Sequence, residues 1–189
     1  MRAFVALDLN EETRAALAQA VSQLRAEVRP VRWVRPQSMH LTLKFLGEIE
    51  ERLSAGIAEQ LAVAASAFAP FSFEVRGLGC FPSAPRARII WAGIEGRTDT
   101  LEALAGAVEV SLKPLGFEPE KRPFSAHVTL GRCRSQVNAE PLRAAIEQHR
   151  RSSFGVVDVD CLRLMRSRLE PGGAVYSQLA RVELSGEAD

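Results

Sequence analysis

Two of the three histidines in this 189-residue chain occupy the same local setting. His40 is followed by Thr42 in Met39-His40-Leu41-Thr42-Leu43-Lys44-Phe45-Leu46-Gly47, and His127 by Thr129 in Ala126-His127-Val128-Thr129-Leu130-Gly131. Imidazole titrates near neutrality, so two of them around one cleft can serve as general acid and general base in opposite protonation states. The threonine hydroxyl beside each can donate a hydrogen bond to a non-bridging phosphate oxygen. In-line displacement at phosphorus needs one proton taken from the attacking oxygen and another delivered to the leaving oxygen on the far side. Two histidines and two hydroxyls meet that need without a metal. Lys44, placed by alternation on the His40 face, and Arg132, five residues after His127, are candidate cations for the phosphate charge. Arg132 has the wrong strand parity for that face, and a bulge at Gly131 would correct it.

The elements that hold these residues follow from periodicity. Both motifs alternate apolar and polar residues as half-buried strands do, so each histidine and its threonine share a face. Leu41, Leu43 and Phe45, with Val128 and Leu130, point the other way, toward a core. Before the first motif, Ala3–Leu7 reads as a strand stopped by Asp8. Asn10 then caps a helix from Glu11 to about Val28, with Leu17, Val21 and Leu24 on one stripe. After it come a second helix through Leu53, Ile57 and Leu61, and a strand from Phe71 to Phe81, bulged at its glycines. The second half repeats strand, helix, His strand, helix, strand, with Asp99-x-x-Glu102 as a capping box opening its first helix. Pro171-Gly172-Gly173 marks a final hairpin turn, and the tail from Ser185 is expected to fray.

The motifs lie 127 − 40 = 87 residues apart, and the same offset carries the first strand near Trp91 and Leu78 near Met165. The unit is therefore repeated, over about 1–82 and 87–184 within a single domain spanning 1–189. A pseudo-twofold axis would bring the two histidine strands together. Alternating strands favour antiparallel sheets over a parallel sheet covered on both faces. The expected fold is α+β and bilobal, with antiparallel sheets facing a central cleft and helices outside.

Composition narrows the function. A net charge of +1 argues against a broad surface tracking long nucleic acid, and leaves room for a local basic pocket. Cys80, Cys133 and Cys161 are odd in number and show no Cys-x-x-Cys, which fits free thiols in a reducing cytoplasm. No run approaches the length of a membrane span. Zinc-ligand spacing is absent. His149 falls at the end of a helix stripe, where a packing role is expected. Trp33 and Trp91 are expected in the core. Gly77-Leu78-Gly79 lacks the Lys-Ser/Thr of a phosphate loop.

His40-Leu41-Thr42-Leu43-Lys44-Phe45-Leu46-Gly47 with His127-Val128-Thr129-Leu130-Gly131-Arg132 resembles the two-histidine (2H) phosphoesterases, in particular the RNA 2′,3′-cyclic phosphodiesterase or 2′-5′ RNA ligase branch. The weaker matches Arg32-Trp33-Val34, Gly77–Pro82 and Ile90–Gly93 extend the resemblance over nearly the whole chain. It implies metal-independent, cofactor-free opening of a terminal 2′,3′-cyclic phosphate to a 2′-phosphate, on RNA 3′ ends or nucleotides, with 2′-5′ ligation as a reverse activity. It further implies that His40 is the proton donor to the departing 3′ oxygen and His127 the acceptor that activates water. The expected protein is a cytoplasmic monomer. Relatives often carry Pro before the second histidine, where this chain has Ala126, a difference of loop stiffness. Two alternatives remain open: a non-catalytic module that binds a nucleotide or RNA end, and a 2H enzyme acting on another small cyclic phosphodiester.

Overall fold

The computed structural model describes residues 1–170 and 173–187. Among the described residues nine strands and four α-helices follow in the order β1 (Arg2–Leu7), α1 (Glu11–Glu27), β2 (Arg32–Trp33), β3 (Leu41–Glu48), α2 (Leu53–Ala65), β4 (Phe71–Phe81), β5 (Ile89–Glu95), α3 (Thr98–Leu112), β6 (His127–Arg132), α4 (Ala139–Gln148), β7 (Ser153–Val159), β8 (Cys161–Glu170) and β9 (Gly173–Glu183). The α+β class expected from the sequence holds. The antiparallel sheets expected to flank the cleft join into one curled sheet of order β7-β4-β5-β6-β3-β1-β8-β9, with β2 paired to β6.

This order is symmetric about the β6–β3 seam. β4 pairs with β5, and β8 pairs with β1, so each of these strands sits in the half of the sheet led by the other half of the chain. The helices share the opposite face from the histidines: α1 lies against β7, α4 against β4, and α2 against α3 and β9. The core between sheet and helices is aliphatic, built on Leu7, Leu17, Leu41, Ile57, Leu61, Ile90, Leu101, Leu104 and Leu130, each buried completely or nearly so. Full burial of each such side chain is worth about 1.5–3 kcal/mol.

Local signals were followed in most places. Asn10 Oδ1 accepts from the Thr13 amide at 2.9 Å and starts α1. β4 runs unbroken through a register shift at Gly77, whose φ of 72° suits glycine. The capping box at Asp99 is not formed. Gly96 and Arg97 both turn left-handed, which starts α3 at Thr98 and leaves Asp99 inside its first turn. The tail is held as far as Gly186, whose amide donates to Phe68 O at 2.9 Å. Of the expected turn, Pro171 and Gly172 lie outside the described residues.

Candidate active site

The two motifs meet at the centre of the sheet. Leu41 of β3 pairs with Val128 of β6 in antiparallel register, and both side chains are fully buried on the core side. Directly opposed residues of an antiparallel pair share a face. One residue to either side, this register sets His40 across from Thr129 and Thr42 across from His127, so the four side chains form a square on the face away from the helices.

Both imidazoles are held in the same way. His40 Nδ1 lies 2.8 Å from the Ser38 carbonyl oxygen, and His127 Nδ1 lies 2.7 Å from that of Ser125. A carbonyl can only accept, so each Nδ1 carries the hydrogen and each neutral ring presents Nε2 as an acceptor. At His40 that acceptor is satisfied by the Thr42 hydroxyl, 3.0 Å away. Aromatic rings fix the ring planes. Phe4 stacks on His40 with centroids 4.6 Å apart, and Tyr176 meets His40 edge-on at 5.2 Å. Phe81 meets His127 edge-on at 5.3 Å and leans on Trp91 at 5.1 Å. Two like imidazoles, each with one nitrogen anchored and the other turned to a shared face, are suited to paired proton transfer.

The family model for LigT-like phosphoesterases matches residues 7–91 and again 94–176, each stretch holding one His-x-Thr. The chain belongs to this two-histidine family. Among its relatives, RNA 2′,3′-cyclic phosphodiesterase of Archaeoglobus fulgidus is 36% identical over 95% of this chain and 98% of that protein. The protein of the same name from Aeropyrum pernix is 36% identical over 82% of this chain and 86% of its own length. A crystal structure from Thermus thermophilus superposes with a TM-score of 0.80 at 31% identity, covering both chains completely. Escherichia coli LigT complexed with NADP+ superposes with a TM-score of 0.70 at 25% identity, over 97% of this chain and 98% of that one.

In this LigT-like phosphoesterase the surroundings of His40 act on its charge. Burial among Phe4, Tyr176 and the sheet lowers the His40 pKa to about 4, against opposing pulls from the Ser38 carbonyl and Asp8. Arg132 and Arg14 lower it further. Asp8, read from the sequence as no more than a strand stop, pairs with Arg14 and, at 2.9 Å, with Arg163.

The two candidate cations part company. In β6, Trp91 partners Thr129 while Ile90 partners Gly131, so Leu130 is an extra residue and Arg132 turns onto the histidine face. Its charge acts on both His40 and Tyr176. Gly131 is required at this point, because a Cβ would come within 2.6 Å of Val31 Cγ1 on the chain leading into β2. The same irregularity in β3 has the reverse effect on Lys44. There Ala6 partners Thr42 and Val5 partners Lys44, so Leu43 is extra and alternation reverses beyond it. Lys44, expected beside the phosphate, is therefore turned into the core at 3% exposure. Its Nζ lies 2.6 Å from Glu109 Oε2 on α3 and donates to Glu118 O at 2.9 Å. Phe45, expected in the core, takes the histidine face instead and is 58% exposed, its ring 6.2 Å from Phe4.

Trp91 also departs from expectation. Its ring lies flat over Gly79, where a Cβ would fall 2.2 Å from the indole, and it belongs to the aromatic wall beside His127 rather than to the core. Trp33 does pack against the core, as expected. His149 stays apart, with Nδ1 3.2 Å from Ser152 Oγ after α4. All three cysteines are free, and burial pushes each thiol pKa up. Among the described residues no three His, Cys, Asp or Glu side chains gather as metal ligands, and no helix is long and apolar enough to cross a membrane.

Proposed function

We propose that this protein hydrolyses the 2′,3′-cyclic phosphate at an RNA 3′ end, leaving a 2′-phosphate. The observation that carries the reading is the matched pair of Nδ1-anchored imidazoles set side by side by the Leu41–Val128 pairing. The names of the curated relatives support it.

His127, its Nδ1 held by the Ser125 carbonyl, takes a proton from water at Nε2 as the water oxygen attacks phosphorus. The P–O3′ bond breaks, and His40 delivers a proton from Nε2 to O3′. The Thr42 and Thr129 hydroxyls donate to the non-bridging oxygens, and Arg132 offsets their charge. His40 must enter the reaction protonated, yet burial holds the free ring near pKa 4. The bound phosphodiester anion supplies the missing counter-charge, and an opposite charge within ~4–6 Å favours the protonated ring. Thr42 then releases Nε2 and turns to the phosphate, so substrate charges the acid that it needs.

The exposed Phe45 ring on the same face offers a stacking platform for the terminal base. The working unit is the whole chain, two repeats of about 1–82 and 87–184 acting as one domain and as a monomer, since one chain supplies every group. Three free thiols suit the reducing cytoplasm. The test is product identity. An RNA ending in a 2′,3′-cyclic phosphate, incubated with the protein in chelator and read by phosphorus NMR, is expected to yield the 2′-phosphate. A 3′-phosphate product would contradict the leaving-group assignment, and no product would contradict the activity.

A further inference from the structure

The histidine face ends in a basic corner on one side. Beyond Phe45 the chain carries Glu48, paired with the N-terminal ammonium and Arg2, and Glu50, paired with Arg52. Beyond Thr129 in the other direction lies Arg132, and directly opposite it on β2 lies Arg32. Opposed residues share a face, so both guanidinium groups stand on the histidine side, and both residues are exposed. No ion pair among the described residues supplies a carboxylate to either arginine. The stretches 28–47, 75–94 and 121–139 at this corner contain no Asp or Glu; the β8–β9 hairpin that also borders it carries Glu170, opposite Gly173. Like charges directly opposed across a strand pair are unfavourable, and no ion pair among the described residues relieves them.

Arg32 is placed rather than loose. β2 occupies the edge of β6 just past the point where β3 leaves it, so Arg32 continues the line of His40. Three residue steps along β6, from Thr129 to Arg132, separate the position opposite His40 from the position opposite Arg32, ~10 Å at ~3.3 Å per step and less across the bulge. A single nucleotide can bridge that interval. On the β9 side, Arg32 Nη2 lies 3.5 Å from where a Cβ on Gly173 would fall, so the final hairpin borders the guanidinium. Past the edge of the sheet the positive character continues into a groove of about 450 Å³ lined in part by Arg86, Arg88 and Gln136.

Resting on the cyclic phosphodiesterase reading, we propose that Arg32 binds the phosphodiester on the 5′ side of the terminal nucleotide, so that the protein recognises an oligonucleotide end over a cyclic mononucleotide. The RNA body leaves the site over the Arg32–Arg132 corner, where two guanidinium groups stand opposite each other with no ion-pair partner among the described residues. Arg32 takes no part in the chemical step and contributes through affinity and orientation.

The experiment compares 2′,3′-cyclic AMP with a pentaribonucleotide ending in an adenosine 2′,3′-cyclic phosphate, using the parent, Arg32→Gln and Arg32→Lys. Arg32→Gln is expected to lower kcat/KM on the pentanucleotide about tenfold, chiefly through KM, consistent with loss of one charged hydrogen bond. On cyclic AMP it should stay within about twofold of the parent, which also controls for folding. Its salt dependence on the pentanucleotide should become shallower by ~0.7 in the log–log slope, the value for one phosphate contact on a single strand. Arg32→Lys should keep most of that slope. An Arg32→Gln variant that loses equally on both substrates, or on neither, overturns the proposal. A parent that turns over neither substrate defeats the phosphodiesterase reading instead. In that case fluorescence anisotropy with a 2′-phosphorylated pentanucleotide still decides the subsite: weaker binding by Arg32→Gln supports it, and equal binding overturns it.

Discussion

Leu41 of β3 and Val128 of β6 pair across the seam of the sheet, each with its side chain fully buried. That pair sets the spacing of the two histidines, because His40 and His127 lie one residue to either side of it. Leu41→Ala should cost ~2–5 kcal/mol of stability, the range for a buried leucine truncation. Turnover should fall in the fraction that remains folded, since misplacing catalytic groups by about 1 Å can cost ~100-fold. Denaturant melts and assays on the same preparation check both effects. Full specific activity at reduced stability would show that the seam does not govern the geometry.

The pH dependence of stability should report His40. Unfolded, its ring titrates near 6.5, and folded at about 4. Between these values the unfolded chain binds more protons, so stability rises with pH from about 4 to 6.5. The contribution is fully present above that window and lost below it. At 1.36 kcal/mol per unit and allowing for the solvent-facing side of the ring, it amounts to ~2 kcal/mol. His40→Gln should flatten that rise in urea melts taken across the window. An unchanged slope would mean that the folded ring titrates normally.

Lys44 and Glu109 form an ion pair on the core side of β3, away from the histidine face. Glu109→Ala strands the ammonium in the core and should destabilise by ~3–5 kcal/mol. Lys44→Met, which fills the space without a charge, should cost less and leave KM and kcat near parental values at a temperature where the variant is folded. A specific loss of turnover in Lys44→Met, with stability intact, would return Lys44 to the site.

Much of the site was legible because alternation is reliable while a strand stays regular. His40, Thr42, His127 and Thr129 all precede the irregular residue of their strands, and the parity rule places them on one face. It fails for Lys44 and Phe45 because Leu43 adds a residue to β3. Nothing in a leucine marks a bulge, and the partner strand that imposes it is remote in sequence. In β6, Gly131 offers a cue, and the bulge needed to turn Arg132 to the histidine face is found beside it. The repeat also held an unread signal. Ser38 and Ser125 stand 125 − 38 = 87 residues apart, so the motif is Ser-x-His-x-Thr in both copies. The anchoring group is their backbone carbonyl, which residue type does not reveal. Trp91 misled because size favours burial, whereas Gly79 on the facing strand leaves the space that the indole fills. The walls formed by Phe4, Phe81 and Tyr176 depend on strand order, and the crossing of β4 and β8 between the halves leaves no periodic trace.

Phe45 should act on binding of the base. Phe45→Ala removes an exposed ring, so stability should change little. KM for a cyclic nucleotide should rise on the order of tenfold, since stacking contributes ~1–3 kcal/mol per base. Phe45→Trp should restore affinity. An unchanged KM in Phe45→Ala would place the base elsewhere.

The central claim is that His40 and His127 carry the two proton transfers. The most direct measurement is the single-turnover rate of His40→Ala, His127→Ala and the double variant on an RNA ending in a 2′,3′-cyclic phosphate, with EDTA present. Affinity for the 2′-phosphorylated product is read on the same proteins. Each single variant should lose ~10²–10⁴-fold in rate. The double variant should lose less than the product of the two, as residues acting together do. Product affinity should persist in all three, because the threonines and Arg132 remain. A double variant that opens the cyclic phosphate at the parental rate would contradict the account.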